Sequence, residues 1–174
     1  MVLLVIDTQK LITNEKLYNF KLFKENVRLL IQTARNNNIE VIFIRHDDGS
    51  GKPLSKGNNG FEICDEFRPL ENEKIYDKFV NSPFKETGLL EYLGSMNEKN
   101  LIITGLQTKY CIDAAVKCGF EHNFNIYIPE FANSTFDNNF MTAEQSYIYY
   151  NKFIWNKRYG KYISIPDMIK LMTV

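Results

Sequence analysis

The sequence predicts an α/β protein built on a mostly parallel six-stranded sheet with helices on both faces. Two observations lead to this fold class. Short, continuous apolar runs alternate along the chain with longer segments in which apolar residues recur every three or four positions. Continuous apolar runs are typical of strands that are buried on both faces, as the strands of parallel sheets are. Strands that alternate with helices form βαβ units, and such units build parallel sheets.

Six apolar runs are the expected strands. The first reads Val-Leu-Leu-Val-Ile and ends at Asp7. The third is the weakest, because only Ile75 and Tyr76 contribute to it. In chain order, the strands are expected at residues 2–6, 40–44, 74–76, 100–104, 125–128 and 162–163.

Helices are expected between these runs, where apolar residues share one face. In residues 20–35 the apolar residues follow each other at helical spacing. Another helix is expected to begin with Thr108 as its N-cap and to stop at Gly119, and Pro166 is expected in the first turn of a terminal helix. The two remaining helices are expected at residues 89–96 and 142–155.

Length and charge restrict the possible partners. The chain has 174 residues, with 21 basic and 21 acidic side chains and a pI near 6.7. Its length predicts a single domain over residues 1–174. Because the chain has no net positive charge, we do not expect it to bind nucleic acid or an anionic membrane. The expected partner is a small-molecule substrate.

The cysteines and the apolar runs indicate the compartment. No run approaches the roughly 20 residues of a membrane-spanning helix, and residues 2–6 are too short for a signal peptide. Cys64, Cys111 and Cys118 are an odd number of cysteines without C-x-x-C spacing, which argues against disulfides and a zinc site. A cytoplasmic location with free thiols is therefore expected.

The expected site lies at the carboxyl ends of the strands, where open α/β sheets bind their ligands. Asp7, Lys78 and Cys111 meet there with complementary chemistry. Cys111 lies in the first turn of a helix, so the helix dipole and Lys78 are expected to lower its pKa and favour the thiolate. Asp7 could take the thiol proton and pass it to a leaving amine. The backbone N–H groups of residues 107–111 could form an oxyanion hole.

Each of these residues alone has a simpler explanation. An acid after a strand is often a turn or capping residue, and a lysine there is usually a solvated charge. A cysteine on an apolar helix face is usually part of the core, as we expect for Cys64 and Cys118. The functional interpretation therefore depends on their joint occurrence in a longer pattern.

That pattern consists of four segments in a fixed order, each of them weak alone. They read Asp7-Thr8-Gln9, Arg45-His46-Asp47-Asp48-Gly49, Lys78-Phe79-Val80-Asn81-Ser82-Pro83-Phe84 with Thr87-Gly88-Leu89, and Thr104-Gly105-Leu106-Gln107-Thr108-Lys109-Tyr110-Cys111-Ile112. Over about residues 2–137, the chain resembles the isochorismatase-like cysteine hydrolase family.

The resemblance implies a three-layer α/β/α, Rossmann-like fold and a catalytic triad of Asp7, Lys78 and Cys111. It also implies a cis peptide bond between Leu106 and Gln107, and an oxyanion hole formed by the backbone N–H groups of Gln107 and Cys111. The implied reaction is hydrolysis of a small amide, ureide or carbamoyl compound through a Cys111 thioester, which releases ammonia or an amine.

Further expectations concern the substrate and the assembly. We expect Gln9, His46, Phe84 and Tyr110 to contact the substrate. Arg45 and Lys109 either hold a substrate carboxylate or are solvated, and the loop of residues 46–60 either covers the pocket mouth or is an ordinary surface loop. Phe61, Phe79 and Phe136 are further candidates for a pocket wall, with core packing as the alternative. Family members pair into dimers or larger assemblies, so a homo-oligomer is expected, with an interface formed in part by Tyr147, Tyr149, Tyr150, Phe153 and Trp155.

Departures from the family pattern narrow the chemistry. The nicotinamidase branch has a metal site of one aspartate and two histidines, whereas this chain has only His46 in that loop and His122 far along the chain. We therefore expect no catalytic metal and no cofactor. Isochorismatase proper cleaves a vinyl ether and lacks the cysteine, so Cys111 favours amide chemistry. A non-catalytic binding protein stays open, whereas Gln9 disfavours an aspartate-nucleophile phosphatase, which needs an acid there.

Overall fold

The structure is a computed structural model that describes residues 1–173, and it confirms the predicted α/β class. The strands are β1 (Val2–Ile6), β2 (Glu40–His46), β3 (Lys74–Lys78), β4 (Asn100–Leu106), β5 (Asn125–Pro129), β6 (Asn133–Ser134) and β7 (Lys161–Ile163). The helices are α1 (Phe20–Asn36), α2 (Leu89–Ser95), α3 (Asp113–Glu121), α4 (Ala143–Ile148) and α5 (Ile165–Met172). Two wider π-helical segments adjoin them: Thr108–Ile112 leads into α3, and Tyr149–Trp155 continues α4.

The strands form one sheet in the order β3-β2-β1-β4-β5-β7, with β6 paired to β4. Each of these pairs is parallel. The chain runs outward from β1 to β2 and β3, and then crosses back to lay β4 on the other side of β1. The crevice at such a reversal is where open α/β sheets bind ligands.

Helices cover both faces of the sheet, which confirms the three-layer architecture. Leu3 and Val5 of β1 pack with α1 and α5 on one face. Val2, Leu4 and Ile6 pack on the other face with α2, α3 and the end of the Tyr149–Trp155 segment. Successive side chains of a strand point to opposite faces, so a continuous apolar strand supplies both cores.

The structure corrects three details of the sequence prediction. Over residues 1–173 the sheet has seven strands, not six, because Asn133–Ser134 pairs with the end of β4. Thr108 is not an N-cap, since its hydroxyl donates to Asn133 Oδ1 at 2.7 Å. Gly119 does not end its helix: it lies inside α3, where a Cβ would stand 2.8 Å from the Ile126 side chain. Its role is close helix–sheet packing.

The aromatic residues of the last third of the chain divide into two groups. Tyr147 and Trp155 are 1% and 0% exposed, so they belong to the core of this chain and not to a surface that a partner could contact. Phe140, Tyr149 and Phe153 are exposed. The homo-oligomer expected from the sequence stays a prediction.

In the part of the chain that the structure covers, residues 1–173, none of the helices combines the length and apolar character that crossing a membrane requires.

Candidate active site

Three chain segments meet at the crevice beside β1. Asp7 follows β1 directly, Lys78 is the last residue of β3, and Cys111 lies in the Thr108–Ile112 segment after β4. The parallel register places the ends of these strands at one edge of the sheet. The structure therefore brings together the three residues that the sequence proposed as a triad.

Close approach of β4 to β1 depends on Gly105. Gly105 is paired with Ile6 and has a φ of 118°, a conformation that L side chains rarely adopt. A Cβ at this position would stand 1.9 Å from the Ile6 carbonyl oxygen. Only glycine lets the segment that carries Cys111 leave β4 so near to Asp7. The Leu106–Gln107 peptide bond, one residue further along, is cis, as the resemblance implied.

Lys78 lies at the centre of the cluster. Its Nζ atom is 2.9 Å from Asp7 Oδ2, 3.0 Å from His46 Nδ1 and 3.2 Å from Cys111 Sγ. An ammonium group has three hydrogens to donate, and these contacts use all three. Because the Lys78 side chain is 0% exposed, its charge is neutralised only by this shell.

Asp7 combines an ion pair with an unused acceptor. Its backbone has a φ of 53°, which aspartate tolerates better than most side chains and which turns the chain at the end of β1. Oδ2 accepts from Lys78, whereas the buried Oδ1 has no hydrogen-bond partner among the described residues. A buried acceptor without a partner is costly, and sites of proton transfer are places where such groups occur.

Cys111 is a protonated thiol at rest, contrary to the sequence expectation. Burial and the negative charge of Asp7 raise its pKa to about 12, and these effects outweigh the opposing effect of Lys78. The expected net lowering of this pKa is therefore wrong, although Lys78 acts in the expected direction. The Sγ atom is also 3.6 Å from Asn81 Oδ1. Proton removal from this thiol has to accompany the reaction.

His46 links the cluster to the cavity wall. Because Lys78 can only donate, the contact between Lys78 and His46 makes Nδ1 the acceptor, which assigns the ring proton to Nε2. Nε2 lies 3.1 Å from Asp48 Oδ1. The imidazole in this arrangement is neutral, and its Nε2 atom contacts the Asp48 carboxylate.

These groups border a small cavity of about 260 Å³. Pockets for drug-sized ligands measure about 300–1,000 Å³, so this cavity suits a smaller molecule. The residues that line it are Asp7, Ile12, His46, Asp48, Leu54, Asn81, Gln107, Tyr110 and Cys111. The loop of residues 46–60 thus contributes to the cavity wall through Leu54 and Asp48.

The structure separates the four expected substrate contacts into two pairs. His46 and Tyr110 line the cavity. Gln9 does not, because its buried amide group donates to the carbonyl oxygens of His46 and Phe61 and accepts from the His46 N–H. Phe84 packs instead against Phe124 in the core. The prediction that Gln9 and Phe84 contact the substrate is therefore corrected: both residues have structural roles.

The other aromatic candidates for a pocket wall lie elsewhere as well. Phe61 is fully buried beneath the guanidinium of Arg45, 4.4 Å from its ring centre, and Phe79 is largely exposed. The Phe136 carbonyl oxygen accepts from Lys109. None of the three lines the cavity.

Sequence reasoning missed four residues of the cavity. Asp48 stood among the strand-end residues but received no role, and Asn81 stood inside the segment that begins with Lys78. Both residues belong to the sequence segments that carry the family resemblance, and this position could have marked them as candidates. Ile12 and Leu54 lie in segments without periodic spacing, so nothing in the sequence distinguished them.

Asp7, His46 and Cys111 also form a possible metal-ligand set, with one ligand atom each and all within 4.8 Å of one another. The Lys78 ammonium contacts all three of these residues. A divalent cation bound among them would face a positive charge a few ångströms away. The expectation of no catalytic metal stays a prediction, and this geometry favours it.

Comparison with known proteins identifies the family of the chain. The profile of the Isochorismatase domain matches residues 1–150. The isochorismatase family protein YrdC of Bacillus subtilis is 31% identical over 139 residues, which cover 77% of this chain and 73% of YrdC. The ureidoacrylate amidohydrolase RutB of Acinetobacter baylyi is 33% identical over 70 residues, 40% of this chain and 29% of RutB.

Solved structures agree on the fold. A hydrolase of the isochorismatase family from Chromobacterium violaceum superposes with a TM-score of 0.91. The match covers 98% of this chain and 92% of that one at 22% sequence identity. This similarity concerns the α/β architecture alone.

Proposed function

The chain belongs to the isochorismatase family of hydrolases, and on that premise we propose that it hydrolyses a C–N bond in a small amide, ureide or carbamoyl compound. Cys111 is the nucleophile of the proposed reaction, and ammonia or an amine is its product. The observation that carries the proposal is the contact of one buried ammonium, Lys78, with both Asp7 and Cys111.

The first half of the reaction transfers the thiol proton. The Asp7 carboxylate takes the proton of Cys111 while Sγ attacks the substrate carbonyl carbon, so no free thiolate accumulates. The Lys78 ammonium stabilises the negative charge that develops on sulfur as the proton leaves. Backbone N–H groups at Gln107 and Cys111 receive the carbonyl oxygen as it becomes an oxyanion.

The second half returns the proton and regenerates the thiol. Protonated Asp7 gives its proton to the departing nitrogen, which leaves as ammonia or an amine, and a thioester on Cys111 results. Water then attacks the thioester, with Asp7 again accepting a proton. The sulfur leaves, takes that proton back, and the carboxylic acid departs.

Two further observations support amide chemistry. Cys111 supplies the nucleophile that a thioester requires, whereas vinyl-ether hydrolysis needs none. RutB, a relative over part of the chain, is an amidohydrolase by name. The cavity of about 260 Å³ limits the acyl part to a small group.

The test measures ammonia release from a panel of small amides, ureides and carbamoyl compounds. We expect turnover by the native protein, loss of at least about 10³-fold in Cys111→Ala, and little change in Cys118→Ala as the matched control. Mass spectrometry after acid quenching should find the acyl group on the peptide that contains Cys111.

Ammonia release that survives in Cys111→Ala would contradict the proposed nucleophile. Saturable binding of the same compounds without turnover would favour the alternative of a non-catalytic binding protein on this fold.

A further inference from the structure

The charges that border the cavity are unbalanced. Of the residues that line it, Asp7 and Asp48 are acidic, and no lysine or arginine belongs to the lining. The positive charge of the buried Lys78 balances the negative charge of Asp7, with Nζ 2.9 Å from Oδ2. Asp48, whose side chain is 46% exposed, contacts the neutral imidazole of His46. The wall therefore carries one acidic charge that no cation of the lining balances.

The nearby cations are occupied elsewhere. All three hydrogens of the Lys78 ammonium are donated to protein atoms. Arg45 forms a two-bonded ion pair with Asp77 at 2.8 and 3.1 Å. Lys109 donates to the Phe136 carbonyl oxygen. Neither Arg45 nor Lys109 reaches the cavity, so the expectation that they hold a substrate carboxylate is not supported.

From this charge distribution we propose that Asp48 is a specificity-determining residue, and that the site accepts neutral or amine-bearing amides and excludes those with a carboxylate. A carboxylate in so small a cavity would lie within the screening length of about 8 Å from Asp48 and find no cation to pair with. Asn81, Gln107 and Tyr110 offer neutral polar groups to an uncharged or cationic substrate instead. This inference rests on the proposed function for the substrate class, but the charge selection itself can be tested without turnover.

The first experiment compares two alkylating agents of similar size, neutral iodoacetamide and anionic iodoacetate, on Cys111 of the full chain at pH 9. The ratio of their rates cancels the fraction of thiolate, because both reagents meet the same fraction. The same ratio for N-acetylcysteine corrects for intrinsic reactivity. We expect a corrected preference for iodoacetamide of about tenfold or more in the native protein.

Asp48→Asn should reduce that preference several-fold, because asparagine keeps the size and removes the charge. Asp65→Asn is the matched control: Asp65 is exposed, lies outside the cavity lining and should leave the ratio unchanged. Equal corrected rates for the two reagents, or a preference that Asp48→Asn does not alter, would overturn the proposal.

The second experiment compares a primary amide with analogues that carry a terminal carboxylate or a terminal amine. Turnover of the neutral and amine-bearing compounds, with at least about tenfold less for the carboxylate compound, is the expected result. If the carboxylate compound is the better substrate, charge selection is wrong while amide hydrolysis stands. If no compound is turned over but the alkylation preference holds, the proposed function fails while charge selection stands.

Discussion

Two neighbouring pairs of residues on β2 and β3 show what distinguishes a structural ion pair from a reactive site. Arg45 is in register with Asp77, and the next position along pairs His46 with Lys78. Because successive side chains of a strand point to opposite faces, the two pairs lie on opposite sides of the sheet. The backbone is the same, but the surroundings differ.

The Arg45–Asp77 pair is complete and partly solvated. Its guanidinium donates to both carboxylate oxygens of Asp77, and the two side chains are 14% and 23% exposed. The pair around Lys78 is buried and incomplete, since Asp7 Oδ1 has no hydrogen-bond partner within residues 1–173 and the Cys111 thiol keeps its proton. We infer that the cluster around Lys78 is reactive because its charged groups are buried and their hydrogen-bonding capacity is not fully used.

Lys78→Met is expected to have the largest effect, because it removes the cation at the centre of the buried cluster. This substitution leaves Asp7 as a buried carboxylate without a cation, which costs about 3–5 kcal/mol in the free energy of unfolding. Urea unfolding followed by circular dichroism measures it. Hydrolysis should also fall by at least about 10³-fold, since the negative charge that develops on the Cys111 sulfur loses its stabilising cation.

The double variant Lys78→Met with Asp7→Asn separates the two effects. Removing both charges should restore most of the stability and none of the activity. A Lys78→Met protein as stable as the native one would show that the Asp7 carboxyl is not a buried anion.

The stability of the protein should depend on pH through the buried Cys111 thiol. The pKa of Cys111 rises from its ordinary value of 9.0 to about 12 on folding. The unfolded chain therefore loses this proton first, so the free energy of unfolding should fall as pH rises above about 9, by up to about 1.4 kcal/mol per pH unit. Below pH 9 this contribution is fully present.

Cys111→Ala lacks the titrating group, and the difference between native and variant unfolding from pH 8 to 10.5 isolates its effect from that of the tyrosines. Parallel stability curves for the two proteins would contradict the raised pKa, and so would a Cys111 alkylation rate that levels off near pH 7.

The smallest change in stability is expected for the Arg45–Asp77 ion pair. Arg45→Met removes the partly exposed ion pairs of Arg45 with Asp77 and Glu62 and leaves Asp77 with Lys56 3.5 Å away. A loss of only about 0–1 kcal/mol per pair in the free energy of unfolding is therefore expected. Ammonia release should stay within about twofold of the native rate, because Arg45 does not reach the cavity. A loss comparable to that of Lys78→Met would erase the distinction between the two pairs.

Much of the fold followed from the sequence because parallel strands are buried on both faces and leave a clear apolar signal. The six predicted strands all exist, and Asp7, Lys78 and Cys111 converge as their positions at strand ends implied. The strand Asn133–Ser134 escaped prediction, since two polar residues carry no such signal and pair only because β4 extends beside them.

The remaining features of the site depend on contacts between distant segments, which residue types alone do not specify. Whether Gln9 faces a ligand or the backbone of residue 46, 37 positions away, is decided by the folded loop. The direction of the Cys111 pKa is a balance between burial, Asp7 and Lys78, and its sign depends on distances. The helix position suggested the wrong direction because burial was not visible in the sequence.

Asp7, Lys78 and Cys111 lie at or just beyond the ends of three separate strands, so the reactive site exists only in the assembled sheet. Asp7 and Lys78 are 71 positions apart in the chain, and they meet only when β2 is already in place between β1 and β3. Such long-range parallel pairing is slow to form in folding. A newly made or partly folded chain therefore has a thiol without its base, and the ability to attack a carbonyl arises together with the finished sheet.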